Sequence, residues 1–228
     1  MLFSDYPISK EIKAQLEVLG FKRPTDIQFK AISPILNGED VFGIAQTGTG
    51  KTAAFAIPII HKLSSYKARS KSPRCIVMAP TRELAEQIKQ AFESIAKGSD
   101  IRITAILGGL EQDKQIKELK RGTDVVVATP GRVFDLRSQG HLSLDSIQFL
   151  VLDEADRMLE LGFAHDMKAI HKLSPQRNRQ TLFFSATIDK KIKALAYDMV
   201  RDAIRIQVSP KDPVSKNIEH GYIQVEMD

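Results

Sequence analysis

Cysteine is nearly absent: this chain of 228 residues has one, Cys75. A disulfide framework and a cysteine-based zinc site are both excluded. Tryptophan is missing and aromatics make up only 7%, which argues against a sheet that stacks RNA bases on exposed rings. No long apolar run is present. The longest, Ala53 to Ile60, has eight residues, far short of the ~18 that cross a bilayer. The opening stretch, MLFSDYPISKEIK, has no basic segment followed by an apolar core, so it does not read as a secretory signal. A cytoplasmic location with no membrane partner is the expectation. Neither an internal repeat nor a low-complexity segment is visible. His61, His141, His165, His171 and His220 show no metal-ligand spacing.

What is there is the composition of a globular protein, 43% hydrophobic and 27% charged. The length fits one large domain or at most two small ones. A chain of this size buries roughly 70% of its unfolded surface and needs no covalent staple. Basic residues number 33 against 28 acidic, a net charge of +5 with a pI near 9.2. That excess permits a polyanionic partner without requiring one.

Short apolar runs alternate with amphipathic stretches. Runs at 40–45, 75–79, 101–107, 124–128, 149–152, 181–185 and 204–208 predict strands. Most are rich in Val, Ile, Leu or Phe without alternation, as in strands covered on both faces. Helical patterns fill 8–19, 27–36, 50–63, 82–96, 112–120, 132–138, 163–173 and 190–200. The alternation predicts an α/β domain, a parallel β-sheet with helices on both faces. Its ligand site should lie at the carboxyl ends of the strands. Residues 64–73 read as a mobile basic loop, with the cations from Lys67 to Arg74 on a solvated surface. Residues 209–217 hold two prolines and read as the exit from a domain spanning 1–208, and residues 219–228 carry strand-like patterning.

The strongest local pattern is Ala45-Gln46-Thr47-Gly48-Thr49-Gly50-Lys51-Thr52, after a strand and before a helix. This is the setting of a phosphate-binding loop. Glycines there let backbone N–H groups turn inward around phosphate oxygens, and the helix N-terminus adds partial positive charge. Lys51 would reach the β- and γ-phosphates, and the Thr52 hydroxyl would ligate Mg²⁺. The first position is Ala45 where the general motif has Gly, and a Gly-rich turn with a surface lysine is the bland alternative. A second pattern lies downstream, with Asp153 102 residues after Lys51. There the run Phe149-Leu150-Val151-Leu152 delivers Asp153, Glu154 and Asp156. Asp153 is placed to hold Mg²⁺, directly or through water. Glu154 is placed to orient and deprotonate an attacking water. Acids at a helix start are common, yet each of these patterns supplies what the other lacks.

Asp153-Glu154-Ala155-Asp156 spells the name of the family this chain resembles, the DEAD-box RNA helicases of superfamily 2. The resemblance covers nearly the whole chain, with many motifs in order, and the texture is similar to bacterial members of the RhlE type. It implies a RecA-like P-loop domain that binds ATP and Mg²⁺ and forms one wall of an RNA site. Ala at the first loop position is usual in the family. Gly20 to Gln28 matches its Q motif, with the isolated aromatic Phe3 standing 17 residues before Gly20. By resemblance, Gln28 reads the adenine edge and Phe21 packs on the base. A side-chain amide suits that task because it carries both donor and acceptor. The residue pattern alone would make Phe21 a core residue and Gln28 a helix-surface one. Thr47, Gly48, Thr49 and Gly50 complete the implied ATP-binding set with Lys51 and Thr52.

Three further motifs are implied to line an RNA-binding face that contacts sugar and phosphate. They supply Thr81 and Arg82, then Gly108 and Gly109, then Thr129, Gly131 and Arg132. Their hydroxyls, amides and guanidinium groups suit phosphate oxygens. Read bare, each is a strand-to-helix turn. Ser185-Ala186-Thr187 is implied to bond to the DEAD segment, with Asp156 as partner, and to couple nucleotide state to RNA binding. An N-cap for the helix that follows is the alternative for this stretch, and the two roles are compatible.

The resemblance also implies a second RecA-like domain with an arginine-rich motif of the His-Arg-Ile-Gly-Arg type, which nothing in this chain matches. Such arginines stabilise the transferring phosphoryl group, a contact worth ~10³–10⁵ in rate. The chain is therefore expected to be an amino-terminal half that binds nucleotide with little turnover, its residues 209–228 starting an interdomain linker. The whole is expected to couple RNA-stimulated ATP hydrolysis to local strand separation. Backbone contacts predict little sequence preference and marked salt dependence. A DNA helicase or translocase of the same superfamily and a non-enzymatic, nucleotide-gated RNA clamp stand as alternatives. The Q motif and the DEAD spelling count against the first, and intact Lys51, Asp153 and Glu154 against the second.

Overall fold

The computed structural model describes residues 1–65 and 72–208. The expectations for most of the basic loop, for the exit at 209–217 and for 219–228 lie outside the described residues, as does His220. Seven strands form among those described: β1 (Val41–Ile44), β2 (Cys75–Met78), β3 (Ile103–Ile106), β4 (Val125–Ala128), β5 (Phe149–Leu152), β6 (Gln180–Ser185) and β7 (Ile204–Gln207). Each falls on a predicted run. They make one sheet in the order β3-β4-β2-β5-β6-β1-β7, with every pair parallel.

The unbroken apolar runs are explained by cover on both sides, because alternate residues leave a strand on opposite faces. On one face Val41, Val77, Val125, Val151 and Phe184 join a core with α1 (Lys10–Val18), α2 (Asp26–Asn37), α3 (Lys51–Ser64) and α4 (Arg82–Ile95). On the other, Phe42, Ile76, Val126, Leu150 and Phe183 meet α5 (Gln112–Arg121), α6 (Pro130–Ser138), α7 (Ala155–Glu160), α8 (Ala164–Leu173) and α9 (Lys190–Met199). In α4 the apolar stripe is Ala85, Ile88, Phe92 and Ile95, the spacing that keeps one helix face on the sheet. The pattern reading omits α7, which has six residues, too few for a helical period to register. No helix among the described residues is long and apolar enough to cross a membrane.

Two local readings are corrected. Arg74 is not on a solvated surface: it is buried, and its Nη2 pairs with Asp124 Oδ1 at 2.8 Å. Its place just before β2 carries it inside, where only a paired charge is tolerated. The stretch Ser185-Ala186-Thr187 does not supply the N-cap of the helix that follows. Asp189 caps α9, its Oδ1 accepting from the Ile192 N–H at 2.7 Å.

Close packing dictates one residue of β1. Gly43 is level with Phe184 of β6, and a Cβ there would stand 2.5 Å from the ring. The ring cannot swing aside, since Phe55 packs against it with centroids 5.4 Å apart. Gly43→Ala is expected to lower stability by about 1–3 kcal/mol, read as a lower urea midpoint with an unchanged slope.

Candidate functional site

Apart from the stretch Gly20 to Gln28, which runs into α2 ahead of the first strand, the motifs fall at carboxyl ends of strands, and the strand order sorts them into two groups. β3, β4 and β2 are neighbours and lead into Gly108-Gly109, Thr129–Arg132 and Thr81-Arg82. β5, β6 and β1 are neighbours and lead into Asp153–Asp156, Ser185–Thr187 and residues 45–52.

After β1 the chain turns through Gly48 and Gly50, with φ of 81° and 93°, values that side chains other than Gly strain to adopt. At Gly50 a Cβ would also stand 2.4 Å from Gln28 Nε2. The loop is tied down by its neighbours. Lys51 is buried, and its ammonium donates to the Ala45 carbonyl at 2.8 Å. Thr49 Oγ1 donates to Gln46 O at 2.7 Å, and Thr25 Oγ1 to Thr49 O at 2.8 Å. Gln28 accepts from the Thr25 N–H at 2.9 Å and donates to Gly50 O at 3.1 Å. At 3% exposure Gln28 is not a helix-surface residue. Phe21 is half-buried, edge-on to Phe3 with centroids 5.6 Å apart at 81°. The donor set suits a chain of phosphates. It offers the first-turn amides of α3, which have no intrahelical partners, together with an ammonium and a threonine hydroxyl.

Asp153 is 2% exposed. Burial pushes its carboxyl up from the ordinary 3.8 to about 6. The Lys51 ammonium pulls it back, the Glu154 and Asp156 carboxylates push it further, and a hydrogen bond from the Glu154 N–H lowers it. That bond is 3.0 Å long, to Asp153 Oδ1. Glu154 sits at the N-cap of α7 with φ 51°, a left-handed backbone that costs a residue other than Gly about 1–3 kcal/mol. Its side chain crosses to the turn after β1, where Oε1 accepts from Thr47 Oγ1 at 3.0 Å. Asp156 Oδ2 accepts from the Ala186 N–H at 3.1 Å, the Thr187 N–H at 2.9 Å and Thr187 Oγ1 at 3.0 Å. Ser185 does not join this contact, because its hydroxyl donates to Thr187 O at 2.8 Å. Among the described residues no three His, Cys, Asp or Glu side chains converge to hold a metal. A divalent ion at Asp153 would need oxygens from a hydroxyl, water and phosphate, which is how Mg²⁺ is commonly held.

The β3-β4-β2 side carries the second group. Thr81 caps α4, its Oγ1 accepting from the Leu84 N–H at 3.2 Å. Arg82 is exposed and lies over Gly109, so close that a Cβ at Gly109 would be 2.2 Å from its Nη2. Thr129 Oγ1 accepts from the Gly108 N–H at 3.2 Å. Gly131 is exposed with open space around it. Arg132 turns inward: it is 8% exposed and its Nη2 donates to Leu110 O at 3.1 Å. The sequence reading missed Gln115 on α5, buried and bonded to Leu107. The available signal was its spacing, four residues before Leu119 on the buried stripe of a charged helix.

A model of the DEAD/DEAH box helicase family matches residues 25–195. The chain is 42% identical over 215 residues to the ATP-dependent RNA helicase DBP3 of Lodderomyces elongisporus, covering 94% of this chain and 39% of that protein. It is 40% identical over 222 residues to the ATP-dependent RNA helicase RhlB of Shewanella baltica, covering 95% and 51%. The crystal structure of a DEAD box protein from Methanococcus jannaschii superposes with a TM-score of 0.84 at 36% identity, covering 92% of this chain and 56% of that one. A yeast and a bacterial relative at similar identity fix the family and not the subgroup. The chain spans about half or less of the length of these curated relatives. With the family pattern running through three quarters of its length and its sheet superposing on a member's, the chain belongs to the DEAD/DEAH box helicase family.

Proposed function

We propose that this chain is the ATP-binding, amino-terminal RecA-like half of an ATP-dependent RNA helicase, whose whole couples RNA-stimulated ATP hydrolysis to local duplex opening. The observation that carries the reading is the Thr47–Glu154 hydrogen bond. It joins segments 107 residues apart and puts a phosphate-binding loop beside the half-buried Glu154 carboxylate.

The β5-β6-β1 end is the nucleotide side. Gln28 and Phe21 take the adenine, the Gln28 amide changing partners from Gly50 O and Thr25 N–H to the base edge. Residues 47–52 wrap the phosphates with backbone amides, and Lys51 leaves the Ala45 carbonyl to meet them. Thr52 and Asp153 hold Mg²⁺, which when bound neutralises phosphate charge. Glu154 takes the proton from the attacking water. Asp156, through Thr187, carries the state of this side to β6. On the β3-β4-β2 side Thr81, Arg82, Gly108, Gly109, Thr129, Gly131 and Arg132 contact RNA sugar and phosphate. Contacts of that kind give salt-dependent binding with little sequence preference. The phosphoryl-stabilising arginines come from a second RecA-like domain, and the protein works in the cytoplasm.

The test is fluorescent adenine- and guanine-nucleotide binding, then steady-state hydrolysis, by the 228-residue chain with and without single-stranded RNA. Adenine-selective binding that Lys51→Ala removes, with little turnover, is the expected result. RNA-stimulated turnover by this chain alone would overturn its role as a half. Absence of nucleotide binding would overturn the site.

The Asp153 carboxyl gives this binding a pH signature. Between 3.8 and about 6 the folded chain holds a proton that the unfolded chain has lost. The stability tied to that proton is therefore present at low pH and disappears as pH rises through about 6. Metal binding needs the carboxylate and runs the opposite way. The Mg²⁺-dependent gain in nucleotide affinity is expected to shrink as pH falls through about 6 and to be absent at every pH in Asp153→Asn.

A further inference from the structure

We infer that Gln115, which lies outside every motif named above, is a positioning residue for the RNA-contacting loop at 107–110. The inference rests on the RNA reading of the β3-β4-β2 end. Among the residues of α5, only Gln115 and Leu119 are buried, and Gln115 is 7% exposed. An apolar side chain would fill such a place with no need of partners, whereas a buried amide needs them. Gln115 finds both on one residue. Its Nε2 donates to Leu107 O at 3.1 Å, and its Oε1 accepts from the Leu107 N–H at 3.1 Å.

The place of that clamp matters. β3 ends at Ile106, and the last backbone bond beside it is from the Thr129 N–H to Ile106 O at 3.3 Å. Leu107 is the first residue past the ladder, and the Gln115 carboxamide stands in for the missing strand neighbour. Two bonds to one peptide residue fix its rotation as well as its position. The following residues are then held in turn, Gly108 by Thr129 Oγ1 and Leu110 by Arg132 Nη2. Gly109, the Leu110 side chain and the Arg82 guanidinium over Gly109 are left as the exposed members. The loop is thus presented ready-made, and an RNA backbone meeting it orders nothing further. Loss of the clamp would make binding carry the cost of ordering the loop.

The experiment uses the 228-residue chain with Gln115→Leu and Gln115→Glu. Three quantities are measured: affinity for a fluorescent single-stranded RNA at low salt, affinity for an adenine nucleotide, and amide hydrogen exchange at Leu107 and Gly108. Gln115→Leu should bind RNA about tenfold more weakly, exchange faster at both amides and keep its nucleotide affinity. Gln115→Glu should be as weak at neutral pH, because a carboxylate faces the Leu107 carbonyl. As pH falls its protonated carboxyl regains one donor and one acceptor, so its RNA affinity relative to the unsubstituted chain at the same pH should recover. That recovery is a readout that mere loss of packing would not give, and it carries the test if Gln115→Leu fails to fold. Unaltered RNA binding by both variants overturns the inference, and so does a parallel loss of RNA and nucleotide affinity. No RNA binding by the unsubstituted chain overturns the RNA reading itself, and this inference with it.

Discussion

Glu154→Gln is expected to lower ATP turnover of the full-length protein by about 10²–10⁴ while leaving adenine-nucleotide affinity within a few-fold. The substitution is nearly isosteric. An amide oxygen can still accept from Thr47 Oγ1, the 3.0 Å bond that joins the two motifs. Gln meets the same backbone strain at φ 51° as Glu does. What it cannot do is take a proton from water at neutral pH. The change should also move its neighbour. The Glu154 carboxylate is one of the groups holding the Asp153 carboxyl high. With that charge gone, Asp153 ionises more readily, and the Mg²⁺-dependent gain in affinity should persist to lower pH than in the unsubstituted protein. Thr47→Val makes the contrast. It removes the hydrogen bond and keeps the base, so it should alter nucleotide affinity far more than Glu154→Gln does, relative to its effect on turnover. Turnover that survives in Glu154→Gln would take the role of base away from Glu154.

The fold was legible because the five inner strands of the sheet are runs covered on both faces. Val125-Val126-Val127-Ala128 has no alternation to confuse with a half-exposed strand, and it is buried throughout. The order of the strands was not legible. That order puts β6 between β5 and β1 and so brings Ser185–Thr187 beside the DEAD segment; nothing in local spacing encodes it. The short α7 was missed for want of length. At the site, glycines and charged residues at strand ends marked the loops, but the partners of individual side chains did not show. Arg132 and Gln115 illustrate both halves of the difficulty. An arginine in a turn reads as outward-facing, yet Leu110 O draws Arg132 in. A glutamine in a charged helix reads as solvent-facing, yet the unpaired Leu107 backbone holds Gln115 beneath the loop. Buried polar groups follow from what the backbone leaves unsatisfied, and that is a property of the folded sheet.

Asp124→Ala is expected to cost about 3–5 kcal/mol of folding stability, the usual penalty for orphaning a buried charge. Asp124 and Arg74 lie at the amino ends of β4 and β2, the end of the sheet opposite residues 45–52 and the DEAD segment. Their side chains are 5% and 7% exposed, with Nη2 and Oδ1 2.8 Å apart. Arg74 Nη1 also donates to Leu63 O at 3.1 Å, tying in the end of α3. Asp124 Oδ2 accepts from the Arg102 N–H at 3.0 Å, ahead of β3. One carboxylate therefore gathers the starts of three strands. Without it the Arg74 guanidinium, whose Nε already has no hydrogen-bond partner, keeps its charge on a side chain only 7% exposed. Replacing the other partner as well should recover part of the loss, since Arg74→Met removes the charge that Asp124→Ala strands. Urea denaturation of the two single variants and the double should thus show coupling, with the double less destabilised than the sum of the singles. Nucleotide affinity measured on the folded fraction should not change, because phosphate loop and DEAD segment sit at the opposite strand ends. If Asp124→Ala weakened nucleotide binding at full folding, the two ends of the sheet would be coupled through β2 and β4. If it left stability unchanged, the charge at Arg74 would have found water, and the pair would not be the buried one described.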